Sequence, residues 1–295
     1  MRALVLSSGG SRGYYHIGAL RYLYTNTSIQ HDIICGTSIG ALLGAYLAQY
    51  PKGQEELAVN RLWELFDKLE TSDVYVKWRP LGIFQALFNK RSLYNNKPMR
   101  RLVDTHIDPL KILDSGKQLR IGVTLYNAIH DDARTFSNYK VYTERDPDLR
   151  EIIKASSALV PLFEPVNLIE GIGVDGGIQT ITPIRAAIEA GANTVDVIIC
   201  YPKSLIYPLH ANTPTVVTDL LYNLDLMMNR LTWLDVNRTL EINELVRMGH
   251  SKKREIKLNI IHPLEDLAVN SLEFNPRIGQ RLHQQGWDDA KVVLK

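Results

Sequence analysis

The stretch Gly36-Thr37-Ser38-Ile39-Gly40 lies between the apolar run Ile33-Ile34-Cys35 and the helix-forming Ala41-Leu42-Leu43-Gly44-Ala45. A strand that becomes a helix within so few residues leaves the backbone few paths. Glycines tolerate crowding and φ values that other residues avoid, so Ser38 is expected at the apex of a tight strand-to-helix turn. There its hydroxyl meets the unpaired N–H groups and the positive end of the helix, which favour anionic intermediates. A serine so placed is a candidate nucleophile.

The rest of the chain supplies a matching frame. Apolar runs of strand length at 3–6, 32–35, 119–125, 195–200 and 256–261 alternate with helical stretches at 13–24, 38–49 and 54–69. This rhythm predicts an α/β fold with a mostly parallel central sheet flanked by helices. Within 54–69, Leu57, Leu62, Leu65, Phe66 and Leu69 read as a buried stripe. A longer helix, or a broken pair, is expected over 215–248, with its inner side read through Leu220, Leu221, Leu224, Met227, Met228, Leu231, Leu234, Leu240 and Leu245. Another helix is expected after Asn275-Pro276. With 45% hydrophobic residues and no long linker, residues 1–295 are expected to form one domain.

Charge and cysteine usage narrow the function classes. With 34 basic and 32 acidic residues the net charge is +2, so no overall field favours nucleic acid. Cys35 and Cys200 fall in apolar runs, as reduced core thiols do, and neither a metal site nor a bound cofactor is expected. The opening Met1-Arg2-Ala3-Leu4-Val5-Leu6 turns polar at Ser7, too short for a signal-peptide core, and no window reaches about 18 apolar residues. The expected location is the cytosol, with peripheral contact at a membrane. That contact is one reading of 73–101, where Tyr75, Trp78, Leu81, Ile83, Phe84, Leu87, Phe88 and Tyr94 interleave with Lys77, Arg79, Lys90, Arg91, Lys97, Arg100 and Arg101. The other reading is a lid packed on the body.

Two further motifs carry chemistry. Ser8-Gly9-Gly10-Ser11-Arg12-Gly13 follows the first strand and precedes a helix, so the main chain of Gly9, Gly10, Ser11, Arg12 and Gly13 is a candidate nest for an anion. As a dinucleotide fingerprint it is degenerate, because Ser8 stands where the first glycine belongs and Asp32 precedes a strand instead of ending one. Asp175-Gly176-Gly177 reads first as a turn. Beside a serine that needs a base, its carboxylate becomes a candidate proton acceptor. His16, His210, His250, His262 and His283 have no local context that marks them, and a Ser…Asp…His order through a late histidine is the rival arrangement.

Taken in order, these motifs resemble the patatin-like phospholipase family: a glycine-rich loop at 8–13, a Gly-x-Ser-x-Gly elbow at 36–40 and Asp-Gly-Gly at 175–177. Ala155-Ser156-Ser157-Ala158-Leu159-Val160-Pro161-Leu162-Phe163-Glu164-Pro165-Val166 is similar to the segment that precedes the family's aspartate. The resemblance covers about 2–183, and 184–295 matches only loosely. It implies a three-layer α/β/α fold and a lipid acyl hydrolase of the phospholipase A or lysophospholipase type, acting on phospholipid or another acyl lipid without a metal. It also implies a Ser38–Asp175 dyad, an oxyanion held by the amides of Gly9, Gly10 and their neighbours, and Arg12 adding charge or tethering a lipid phosphate. Ser8 replaces a family glycine, and Thr182 precedes Pro183 where the family often has Asn. The alternatives are a Ser–His–Asp esterase and a non-catalytic binder of lipid or nucleotide. Protein partners are not legible.

Overall fold

Strand β1 (Arg2–Leu6) shows why the chain layers. Leu4 and Leu6 enter one buried apolar cluster, while Ala3 and Val5 enter another. Side chains alternate across a strand, so a strand apolar at every position needs cover on both faces. The computed structural model describes residues 1–80, 82, 90–126, 138–203 and 216–294, with the backbone alone at 216–218, 220 and 221. Leu81, Ile83, Phe84, Leu87, Phe88, His210 and Thr215 lie outside the described residues, as do the side chains of Leu220 and Leu221.

After β1 come α1 (Gly13–Asn26), β2 (Ile33–Gly36), α2 (Ile39–Ala48), α3 (Glu55–Phe66), α4 (Thr71–Val74), β3 (Val76–Lys77) and β4 (Tyr94–Asn95). The middle of the chain forms α5 (Lys97–His106), α6 (Pro109–Asp114), β5 (Gln118–Tyr126), β6 (Asn138–Thr143), α7 (Leu149–Ser156), β7 (Val166–Leu168) and β8 (Gly171–Asp175). The last part holds α8 (Ile184–Glu189), β9 (Thr194–Ile198), α9 (Val216–Arg247), β10 (Lys257–Ile261) and α10 (Pro276–Val293). Residues of α1, α2, α3, α7 and α10 fill the cluster on one face of the sheet, and residues of α8 and α9 fill the other. Each large aliphatic side chain so buried stabilises the fold by about 1.5–3 kcal/mol.

Among the described residues the main sheet has eight strands in the order β10-β9-β1-β2-β5-β8-β7, with β6 also paired to β5. From β10 to β5 all pairings are parallel, and β6, β7 and β8 are antiparallel additions. Strand β6 runs along β5 from Arg120 to Leu125 and takes one whole edge. Strands β2 and β8 must therefore share the other edge, where Gly36 pairs with Ile121 and Asp175 with Val123. One runs parallel to β5 and the other antiparallel, so their carboxyl ends converge on Gly122. This is how the topology carries residue 175 to residue 38.

Three sequence readings change. Strand β9 ends at Ile198, before Cys200. Leu57 is exposed, and α3 buries Leu62, as expected, together with Ala58 and Val59. Helix α9 is one helix, but Met227, Leu234, Leu240 and Leu245 face outward. Its inner side is Met228, Thr232, Val236, Thr239 and Asn243. The expected Met228 is on that side and Leu224 and Leu231 pack beside it, but counting apolar residues missed the polar members, which are satisfied: Thr232 donates to the Met228 carbonyl, and Asn243 both donates to and accepts from the Ile256 main chain.

Candidate active site

Ser38 follows β2 at φ 57° and ψ −125°, a conformation that costs a non-glycine residue about 1–3 kcal/mol. The surroundings impose it. A Cβ on Gly40 would stand 2.3 Å from the Leu6 carbonyl oxygen, so only glycine lets α2 start this close to β1. The Ser38 amide donates to Ser156 Oγ at 3.1 Å, and that hydroxyl donates to the Gly122 carbonyl at 2.7 Å. One side chain from α7 thus ties the turn to the strand on which the two chain ends converge.

Asp175 ends β8 and is 1% exposed. Its Oδ1 accepts from the Gly177 amide at 2.7 Å, and Oδ2 has no hydrogen-bond partner of ordinary geometry. Burial pushes its pKa up to about 7, opposed by hydrogen bonding from the Ser38 hydroxyl and the Gly177 amide. A contact with the hydroxyl that leaves Oδ2 open suits a pair that tightens only around substrate. Burial thus makes this carboxylate a stronger base than a free aspartate.

The glycine-rich loop divides by what its amides do. The amides of Ser11, Arg12 and Gly13 donate to the carbonyls of Ser271, Gly9 and Gly10 respectively, so all are committed within the loop and its supports. Those of Gly9 and Gly10 have no acceptor among the described residues, nor does that of Ile39 at the start of α2. Gly10 has φ +57°, and a Cβ there would meet the Ser271 oxygen at 2.2 Å. The free donors are thus fewer than the sequence offered, and both loop donors line a cavity with Ser38.

Arg12 is 4% exposed and does not reach outward to tether a phosphate. Its Nη1 and Nη2 donate to the two carboxylate oxygens of Asp225 at 2.8 and 2.7 Å, and its guanidinium lies 4.9 Å from the Tyr201 ring centroid. The Asp loop is braced by the same helix, with the Thr182 amide donating to Asp235 Oδ2 at 3.1 Å. Ser8, in the place of a family glycine, donates its amide to the Ile181 carbonyl at 3.0 Å.

Among the described residues no histidine bonds to Ser38 or Asp175. His16 is wholly buried beside Ser7 and Cys200, His262 contacts the Pro263 carbonyl, His283 contacts Arg21, and His250 is exposed. Cys35 and Cys200 are buried free thiols. Among the same residues no helix is long and apolar enough to cross a membrane.

Ser38 opens on an apolar cavity that includes Leu42, Met99, Leu162, Phe163 and Met228. A second apolar cavity, reaching Leu62, Phe66 and Val103, shares Ile39, Leu42, Val74, Met99 and Phe274 with the first. Tyr75 packs against Tyr94 and against Phe163, which lines this cavity, with tilted rings at centroid distances of 4.7 and 5.5 Å, so the base of the 73–101 stretch packs on the body. Lys77, Arg79, Lys90 and Arg91 are exposed beyond it.

Sequence reasoning assigned no role to Ser156, Asp225 or Asp235. Ser156 lay inside a motif already quoted, and that motif was the available signal. The two aspartates lie on α9, where nothing local marks them.

Together the fold and site define a class: three-layer α/β proteins with a serine on a strained elbow beside a buried carboxylate. The patatin-like phospholipase family model matches residues 4–188, and the chain belongs to that family. It is similar to Uncharacterized protein YjjU of Escherichia coli (strain K12), at 28% identity over 210 residues that cover 70% of this chain and 53% of that protein. A stretch of 48 residues is 50% identical to patatin-like phospholipase domain-containing protein ZK370.4 of Caenorhabditis elegans, covering 16% of this chain and 4% of that one. The chain therefore spans about half of the first relative and a small part of the second. Among solved structures it matches VipD from Legionella pneumophila at 12% identity and a TM-score of 0.45, covering 99% of this chain and 66% of that one.

Proposed function

We propose that this chain hydrolyses fatty acyl esters of lipids through Ser38 and Asp175. Membership of the family implies lipid acyl hydrolysis. The observation that carries the dyad is a buried carboxylate with a pKa of about 7, in contact with a hydroxyl held on a strained turn. Ser38 Oγ attacks the ester carbonyl while Asp175 takes its proton. The oxyanion settles on the free amides of Gly9, Gly10 and Ile39. One such donor is worth about 2.7–4 kcal/mol in comparable sites. Collapse expels the alcohol, which takes the proton from Asp175 and leaves the acyl group on Ser38. Water then attacks the acyl-enzyme, Asp175 takes a proton from it, and release of the fatty acid returns that proton to Ser38 Oγ.

The joined apolar cavities suit a fatty acyl chain running from Ser38 between α2, α3 and α5. The exposed cations around Trp78 suit an anionic membrane surface. The test is labelling by a fluorophosphonate probe together with fatty acid release from phospholipid vesicles. Ser38→Ala is expected to lose both, and Asp175→Asn to lose turnover while remaining folded. Full fatty acid release by either variant would remove the dyad.

A further inference from the structure

Helix α9 serves a second concavity. Leu224 and Met228 line the cavity at Ser38, whereas Arg230 and Trp233, further along the helix, line a groove of about 480 Å3 against the carboxyl end of β10. Lys203, Asn229, Asn237, Leu240, Ile260 and His262 also line it, and among the described residues no acidic one does. We propose that this groove binds an organic anion bearing a phosphate group.

The cations come first. Lys203 and Arg230 form no ion pair among the described residues, unlike Arg12, which is matched by a carboxylate. Residues 204–215, which follow Lys203, contain no Asp or Glu to neutralise it. A phosphate offers oxygens for an Arg fork and a Lys ammonium together.

The framework around the cations is built. Trp233 Nε1 and Asn229 Nδ2 both donate to the Pro202 carbonyl, at 2.9 and 2.8 Å, which fixes the turn that presents Lys203. Lys203 Nζ stands 5.9 Å from the Trp233 ring centroid, and the His262 ring meets that indole edge-on at 5.2 Å. With its N–H occupied, the indole offers the groove apolar surface, continued by Leu240 and Ile260. The volume lies within the range of small-molecule sites and exceeds what a bare inorganic anion fills. An organic body attached to the phosphate uses the remainder. Like Ser38, the groove lies at the carboxyl edge of the parallel strands, where α/β sheets commonly hold ligands.

The test titrates the full chain with glycerol 3-phosphate, and separately with vesicles of phosphatidylcholine containing phosphatidic acid. Lys203→Ala/Arg230→Ala is expected to weaken binding at least about tenfold, the scale of losing charge-assisted hydrogen bonds. A control that neutralises exposed Lys252 and Lys253 is expected to bind like the parent. Dependence on Lys203 and Arg230 with the soluble ester assigns a free phosphate ester, and dependence with vesicles alone assigns a lipid headgroup; either supports the site. Absent binding of both probes, or binding that the double variant leaves intact or the control weakens equally, overturns it. Fluorophosphonate labelling of Ser38 is expected to be unchanged in all variants, so the outcome is independent of the dyad.

Discussion

Gly36 and Asp175 end two strands that meet head-on along one edge of β5, where their partners Ile121 and Val123 are separated by Gly122 alone. Ser38 lies just past the first end. The Ser156 hydroxyl, bonded to both the Gly122 carbonyl and the Ser38 amide, spans the junction.

That junction makes Ser156 a positioning residue. Ser156→Ala is expected to lower kcat about 10- to 100-fold, because loss of alignment at a nucleophile acts on the chemical step. KM for a short soluble ester should move little, and the melting temperature should fall only modestly. Steady-state kinetics check this, and an unchanged kcat would exclude the role.

The elevated pKa of Asp175 fixes the pH dependence. Protonation disables the base, so kcat/KM for a soluble ester should climb with pH through about 7 instead of near its ordinary value of 3.8. Stability runs the opposite way. The fold favours the protonated acid, so ionisation weakens it progressively as pH rises from near 4 through about 7. Asp175→Asn is therefore expected to melt higher than the parent at about pH 8, with the difference vanishing below about pH 4. Calorimetry at both ends decides the sign.

Arg12 and Asp225 give a stability prediction. Asp225→Asn leaves a buried guanidinium without its counter-charge and is expected to cost about 3 kcal/mol or more. Replacing both partners with apolar residues, as in Arg12→Met/Asp225→Leu, should recover much of that loss. Urea unfolding of Arg12→Met, Asp225→Leu and the double variant closes the cycle; simple additivity would contradict a coupled pair.

The exposed cations of the 73–101 stretch predict membrane behaviour. Neutralising Lys77, Arg79, Lys90 and Arg91 together should weaken binding to anionic vesicles at least about tenfold, since each contributes about 1 kcal/mol near such a surface. Hydrolysis of a soluble ester should be unaffected. Vesicle co-sedimentation with unchanged binding would leave the packed base as the stretch's whole role.

Ser38 was legible because its constraint is local: the adjoining strand, helix and glycines dictate a tight turn by themselves. Asp175 was less so, because Asp-Gly-Gly also spells an ordinary turn; the need of Ser38 for a base made it a candidate, and the resemblance to a family motif strengthened it. Its partner was selected by strand order, which no short window contains. The outward leucines of α9 misled for a related reason. Hydrophobicity marks a buried face only when burial is apolar, and Thr232, Thr239 and Asn243 are buried through hydrogen bonds. Main-chain donors such as the Ile39 amide carry no side-chain signature at all.

The loops bearing the recognisable motifs are anchored by parts of the chain that lack them: Asp225 grips Arg12, Asp235 caps Thr182, and the Ser271 carbonyl engages Ser11. All three anchors lie beyond the span matched by the family model. A fragment trimmed to that span would keep every signature residue and lose the scaffolding that shapes them, so recognition by sequence and competence to fold the site are carried by different parts of this chain.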